Sequence, residues 1–391
     1  TREMKVNHAN QTTFCFTEEG PITVTYNENG NKYTNQAIKG ESQSTEIKYV
    51  IISDPEVATI NETTGEITIS KAGEVIVKAT KKGDSCYNDA TVTYTLIIEK
   101  ATQTFTLQDG NAITKYYGTT KYQNIVSSDE VSTAADGKGY GVGKVTYTLE
   151  DNSDNIGAVI DENTGEIEFN DSDKKVGTIT VKVTKETDDC YEAYSETYTL
   201  TIQYLETPAK AYTLSGDKLN QSGWFTGVVK INAVPGYEIS YNNELTTADW
   251  SSDVKHNEEG IKSAKVYLKN ADGFMTDVIL TEDIKVDTVN PSELNISYDK
   301  PLWEDVIENI TFSVYQASFD VTISAKDTNS KIDKLTFNIG KGEQEVTKAQ
   351  LKEGSDDTVS YTFTISPQFR NKISMSATDV SGRKTEYEAG K

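Results

Sequence analysis

The chain has 391 residues, 36% of them hydrophobic, with 38 Lys and Arg against 61 Asp and Glu, for a net charge of −23. Charge of that sign excludes the basic patches that nucleic acid or an anionic membrane requires. Two histidines, His8 and His256, leave little for a histidine metal cluster or a Ser-His-Asp triad, and no run of about 18 apolar residues is present to span a membrane.

From the N-terminus, residues 13–16, 22–26 and 47–52 alternate β-branched or aromatic residues with polar ones and are bounded by Gly and Asn, the pattern of half-buried strands. Residues 27–31 are turn chemistry around Gly30, and 53–55 are a break before Pro55. Residues 57–60 and 66–69 predict a hairpin closed by Thr64 and Gly65. Residues 75–79 and 91–98 predict two long strands that turn Val75, Val77, Ala79, Val92, Tyr94 and Leu96 inward. The loop 81–89 lies between them.

Much of this is then written again. Thr-Gly-Glu-Ile at 64–67 returns at 164–167, an offset of 100; Asp-x-Cys-Tyr at 84–87 returns at 188–191 and Tyr-Thr-Leu at 94–96 returns at 198–200, both at an offset of 104. Four residues within 170–175 account for the difference. A repeat of about one hundred residues is the length of an immunoglobulin-like sandwich and too long for a solenoid unit of roughly 20–50. The joint at 97–102 has no Pro or Gly, so the last strand of the first copy is expected to run straight into the second. The second copy predicts strands at 104–107, 113–117, 145–149, 158–160, 166–169, 178–183 and 196–203. The Gly-rich stretch 136–143 is read as an inter-strand turn, since no helix follows to make it a phosphate loop.

Residues 205–210 form a second joint, after which strands are predicted at 222–231, 236–240, 262–268 and 279–286. A third joint at 287–292 contains Pro291, which has no N–H for a sheet. The remaining strands are predicted at 293–298, 310–315, 320–327, 334–339, 359–365 and 373–379, with a brief helical turn at 347–353. No other segment has an apolar period near 3.6, and the class is all-β.

Three cysteines are an odd number. Cys86 and Cys190 hold the same place in two copies and so lie a domain apart, and Cys15 is matched by Thr106. Three buried or half-buried thiols and no disulfide are expected. Tyr87 and Tyr191 are expected to pack across the end of their sandwiches, with Asp84 and Asp188 accepting loop N–H groups. The acidic clusters at 151–154, 171–173, 188–189, 283–287 and 356–357 offer the oxygens Ca²⁺ takes, though none follows an EF-hand pattern. No segment builds a cleft holding two fixed carboxylates, so no catalytic residues are expected.

Residues 1–205, through Ser-Asp-Pro-x-Val-Ala-x-Ile (53–60), Thr-Gly-Glu-Ile, Asp-x-x-Tyr and Tyr-Thr-Leu, resemble the bacterial Ig-like (cadherin-like) repeats of surface proteins from Gram-positive and gut bacteria. Cys stands before the Tyr where such repeats more often carry Asn. Gly-Trp-aromatic-Thr-Gly (223–227), Pro-Gly-Tyr-Glu-Ile-Ser (235–240) and Asp-Thr-x-x-Pro (287–291) resemble a further Ig-like domain of such proteins. Ala-x-Asp-x-x-Ser (325–330) and Ala-Thr-Asp-x-Ser-Gly (377–382) resemble its usual follower. The resemblance implies tandem immunoglobulin-like β-sandwich domains in an elongated array, bounded at 1–100, 101–205, 206–288 and 289–391. It implies an extracellular, non-catalytic stalk or adhesion-type segment of a bacterial cell-surface protein, cut from a longer secreted chain and presenting a functional domain located elsewhere. Partners would be a host or cell-wall glycan or protein, with no nucleic acid and no membrane insertion, and the chain is expected to be a monomer. No cofactor is expected unless Ca²⁺ binds at inter-domain joints. The alternative is a set of carbohydrate-binding accessory modules that use the aromatics Trp224, Trp250 and Trp303 as candidate ligand-binding residues.

Overall fold

A computed structural model describes residues 6–127, 141–169, 176–299, 318–366 and 372–388. The expected strand 310–315, the acidic residues 171–173, the insertion 170–175, most of the Gly-rich stretch and Trp303 lie outside those residues. The chain divides into two compact units, Thr1–Gln203 and Tyr204–Lys391. Among the described residues no helix is long and apolar enough to cross a membrane.

In the first unit, one sheet orders the strands Ile22–Thr25, Ala90–Glu99, Gly73–Lys81 and Ile47–Ile51. The first pair is parallel and the others antiparallel. Three short strands, Lys32–Thr34, Glu66–Ile69 and Ala58–Ile60, form the facing sheet. The expected hairpin pairs Ile60 with Ile67 and Ala58 with Ile69. Alternation does the packing: Val75, Val77 and Ala79 meet Tyr94, Leu96 and Ile98 in a core where each is 5% exposed or less. Gly65 takes φ +71 at the hairpin turn, and a Cβ there would stand 3.1 Å from the Tyr49 ring. The repeat reproduces this arrangement. Ala112–Tyr116, Tyr194–Gln203, Gly177–Lys185 and Val145–Asp151 make the four-stranded sheet, and Lys121–Gln123, Glu166–Phe169 and Ala158–Ile160 its partner. Gly165 sits under Tyr147 with φ +73. Strands Lys32–Thr34 and Lys121–Gln123 carry too few apolar residues to be read from sequence.

The second unit holds two further cores, one around Ile231, Ile239, Leu268 and Val286, the other around Val321, Ile323, Leu335 and Ala377. Around the first, Tyr212–Ser215, Val229–Ala233 and Asp253–His256 form one sheet, and Tyr237–Ser240, Lys265–Asn270 and Ile279–Leu280 another. A strand was expected from residue 222; it begins at Val229. Phe225 instead accepts from Asp287 N and donates its own N–H to Lys285 O, tying the irregular stretch to the end of strand Ile284–Val286. Around the last core, Ser292–Tyr298, Phe319–Lys326, Thr358–Ile365 and Lys352–Glu353 face Glu343–Thr347, Ile332–Asn338, Ser374–Asp379 and Lys384–Glu388. The expected helical turn is the 3₁₀ segment Lys348–Gln350, where Gln350 Oε1 accepts from Thr347 N. The whole is a tandem set of immunoglobulin-type β-sandwiches.

All three cysteines are free thiols, with Cys190 buried and Cys15 half-buried. Cys86 is exposed, which corrects the expectation of a covered thiol. The backbone places it at a loop tip, while its counterpart is covered by the neighbouring sandwich.

Candidate metal centre

Three aspartates far apart in sequence meet in the second unit. Asp287 follows strand Ile284–Val286, Asp327 follows Phe319–Lys326, and Asp379 ends Ser374–Asp379. One carboxylate oxygen of each lies within 4.8 Å of the others, and the residues are 0%, 3% and 1% exposed. Strand ends put them there: one sandwich contributes the Asp just after its last strand, and the next contributes one just after a central strand and one at the end of another.

The three carboxylates are satisfied to different extents. Asp287 Oδ2 accepts from Ser330 N (3.2 Å), and Oδ1 accepts from Val289 N (3.1 Å) and, at 3.5 Å, from Asn329 Nδ2. Asp327 Oδ2 accepts from Lys331 N at 2.5 Å. Asp379 Oδ1 accepts from Ser381 Oγ (2.6 Å) and Arg383 N (3.0 Å), whereas its buried Oδ2 has no hydrogen-bond partner. Arg383 is close, but its guanidinium donates elsewhere: Nε to Asp287 O (2.9 Å), Nη1 to Asn290 Oδ1 (3.2 Å) and Nη2 to Thr226 O. Among the described residues none of the three carboxylates forms an ion pair.

Three buried acids that form no ion pair among the described residues are costly in their ionised form. Burial first, and then the charge of Asp287, pushes the Asp327 carboxyl up to about 6, against the pull of the Lys331 N–H. Burial likewise raises Asp379, opposed by its bonds from Ser381 and Arg383. Protons relieve such a site in part; a divalent cation relieves it without leaving Oδ2 of Asp379 bare. The donors are carboxylate oxygens alone, with no thiol or imidazole in the group. That set suits a hard cation such as Ca²⁺ or Mg²⁺ rather than Zn²⁺ or copper.

Acids of the other clusters within the described residues have simpler explanations. Asp188 Oδ1 accepts from Cys190 N and Tyr191 N, and its Oδ2 from Val142 N, which hold its carboxyl low despite burial. Asp84 accepts from Gln43, Cys86 and Tyr87 N–H groups in the same way. Asp154 accepts from Thr178 N, Asp151 from Ser153 N, and Asp357 pairs with Lys331 Nζ at 2.7 Å.

Of the candidate aromatics, Trp224 is 6% exposed and presents no open face. Trp250 is half-buried, with Lys269 Nζ 4.8 Å from its ring centroid and its indole Nε1 buried without a partner. Trp303 lies outside the described residues. Composition pointed to Asp287 through its cluster but missed Asp327 and Asp379, although both stand in the two motifs quoted for the last domain.

No protein-family model matches the chain, and no curated protein matches it. Among solved structures, mouse cadherin-23 EC22–24 superposes with a TM-score of 0.24 at 12% identity over 73% of this chain and 97% of that one. Drosophila N-cadherin EC1–3 gives 0.29 at 11% identity over 72% and 99%. The titin z1z2 domains, from a complex with telethonin, give 0.29 at 15% over 51% and 97%. Superpositions this loose assign nothing to this chain.

Proposed function

We propose that the chain is a non-catalytic, extracellular stalk or adhesion-type segment of a bacterial cell-surface protein, with sandwich domains at 1–100, 101–205, 206–288 and 289–391. In this reading Ca²⁺ sits among Asp287, Asp327 and Asp379 and fixes the joint between the last two domains. Asp287 would hold the ion from one side of the joint, Asp327 and Asp379 from the other. The ion's role is charge neutralisation and cross-linking, with no bond made or broken.

The observation that carries the reading is the buried, partnerless Oδ2 of Asp379 in a group of three converging carboxylates. The wider setting supports a spacer: among the described residues there are four hydrophobic cores and a groove of about 560 Å³ along a sheet face. Asp327 and Asp379, the carboxyls raised by burial, do not line that groove. Arg383 and Asn220, which donates to Val380 O at 2.9 Å, already bind the two domains across the joint. Calorimetric titration of the chelated protein with CaCl₂ is expected to give one site per chain, abolished by Asp379→Asn. Heat of binding unchanged in that variant would remove the cluster from the account.

A further inference from the structure

The first unit builds one surface twice and covers it once. In the second copy, Ala101 N donates to Cys190 O (2.9 Å), Glu192 N donates to Ala101 O (2.8 Å), and Asp188 Oδ1 accepts from Cys190 N and Tyr191 N at 2.7 and 2.8 Å. In the first copy, Ala9 N donates to Cys86 O (2.9 Å), Asn88 N donates to Ala9 O (2.8 Å), and Asp84 Oδ1 accepts from Cys86 N and Tyr87 N at 2.8 and 3.0 Å. The backbone frame is therefore the same at both places, and so are the Cys and Tyr it displays.

Their surroundings differ. Tyr191 is 4% exposed, Ala101 8% and Cys190 9%, and all three belong to the first sandwich's core. The first sandwich covers this loop: the Tyr26 ring stands edge-on to Tyr191 at 5.5 Å, Cys190 Sγ lies 3.7 Å from Ser70 O, and Ala72 N donates to Asp189 O at 3.0 Å. In the first copy Ala9 and Cys86 are exposed and Tyr87 is half-buried, with no ring facing it among the described residues.

We infer that the Ala9–Cys86–Tyr87 surface is a docking face for one further module of the same repeat, joined directly ahead and presenting its own Tyr26, Ser70 and Ala72 end. The partner's chemistry follows from the covered copy: an aromatic edge for the tyrosine, a carbonyl for the thiol and an N–H for the carbonyl of the residue preceding the Cys. The joint is specified too, because Ala9 occupies the place of Ala101, and Lys100 precedes Ala101 without a linker. This goes beyond the cation reading and stands without it, since no member of the acid cluster takes part.

The test extends the existing chain by one module, residues 1–100 followed by 9–391, with Cys86→Ser in the added copy so that a single Cys86 remains. Iodoacetamide labelling of that thiol is followed by peptide mass spectrometry, in EGTA and in Ca²⁺, with the buried Cys190 as internal standard. In the unextended chain Cys86 should label fast. In the extended chain it should label at least tenfold more slowly, and Tyr26→Ala in the added copy should restore most of the rate. Unchanged labelling of Cys86 overturns the proposal, and so does an added copy digested as an unfolded segment, because the joined sequence is the one that already seats the first sandwich on the second. Protection of Cys86 in the unextended chain that grows with protein concentration would assign the face to a second molecule and also overturn it.

Discussion

The repeat supplies its own control for what a covered joint is worth. Tyr191→Ala and Tyr87→Ala remove the same residue from the same hydrogen-bonded loop, one under a neighbouring sandwich and one at an open end. Truncating a fully buried aromatic costs about 3–5 kcal/mol, of which an edge-to-face pair contributes roughly 0.5–1.5. Tyr191, 4% exposed with Tyr26 at 5.5 Å, falls in that range. Tyr87 is half-buried and faces no ring among the described residues, so about half the area term and none of the pair term is lost, roughly 1–2 kcal/mol. The expected gap is about 2 kcal/mol, or roughly 4–8 °C in a unit of this size. Urea unfolding reads it unit by unit, because Trp224, Trp250 and Trp303 all lie in the second unit. Tryptophan emission follows that unit, and the remaining far-ultraviolet dichroism follows the first. Equal losses from the two substitutions would refute the claim that the first sandwich stabilises the second copy's loop by covering it.

Gly165→Ala should destabilise the first unit by roughly 1–3 kcal/mol, since it forces a side chain into φ +73 and sets a Cβ 2.8 Å from the Tyr147 ring; a urea midpoint unchanged from the parent would contradict this. Arg383→Ala removes three donated bonds, two of them across the joint between the last two cores, and should cost about 2–4 kcal/mol, read as a lower midpoint in tryptophan emission. In EGTA, the raised Asp327 carboxyl contributes stability that is present below about pH 4 and lost as pH rises through about 6. Asp327→Asn, which mimics the protonated acid, should therefore gain on the parent protein as pH rises from 4 to 7, with the order reversed in excess Ca²⁺. A gap that does not change with pH would show that neither burial nor the charge of Asp287 raises the Asp327 carboxyl.

Patterns of period two carried most of the fold. The long strands Gly73–Lys81 and Ala90–Glu99 and their repeats have an inward side chain at every second position, and such alternation is visible in a single sequence. The strands that escaped notice, such as Lys32–Thr34, Tyr212–Ser215 and Glu343–Thr347, are short and largely polar, held by pairing to a neighbour rather than by burial of their own. Residues 222–228 were misread for the opposite reason. Trp224 and Phe225 are apolar enough for a strand, yet Phe225 meets Val286 only through an isolated bridge. The acid site was half legible. Asp287, Asp327 and Asp379 each stand in a short motif at a strand end, so the residues were in view; their convergence depends on how one sandwich abuts the next, which no local pattern encodes. The same holds for Cys86 and Cys190, whose loops are alike and whose exposure is set by what lies across the joint.

The most direct test of a cation-fixed joint is the urea midpoint of tryptophan emission in 10 mM CaCl₂ against EGTA. For a site of extracellular-type affinity, with Kd about 10⁻⁴–10⁻³ M, linkage gives a gain of roughly 1.4–2.7 kcal/mol at that concentration. The account predicts that gain for the parent chain and its loss in Asp379→Asn. A midpoint indifferent to Ca²⁺, or a gain of equal size in the variant, would contradict it.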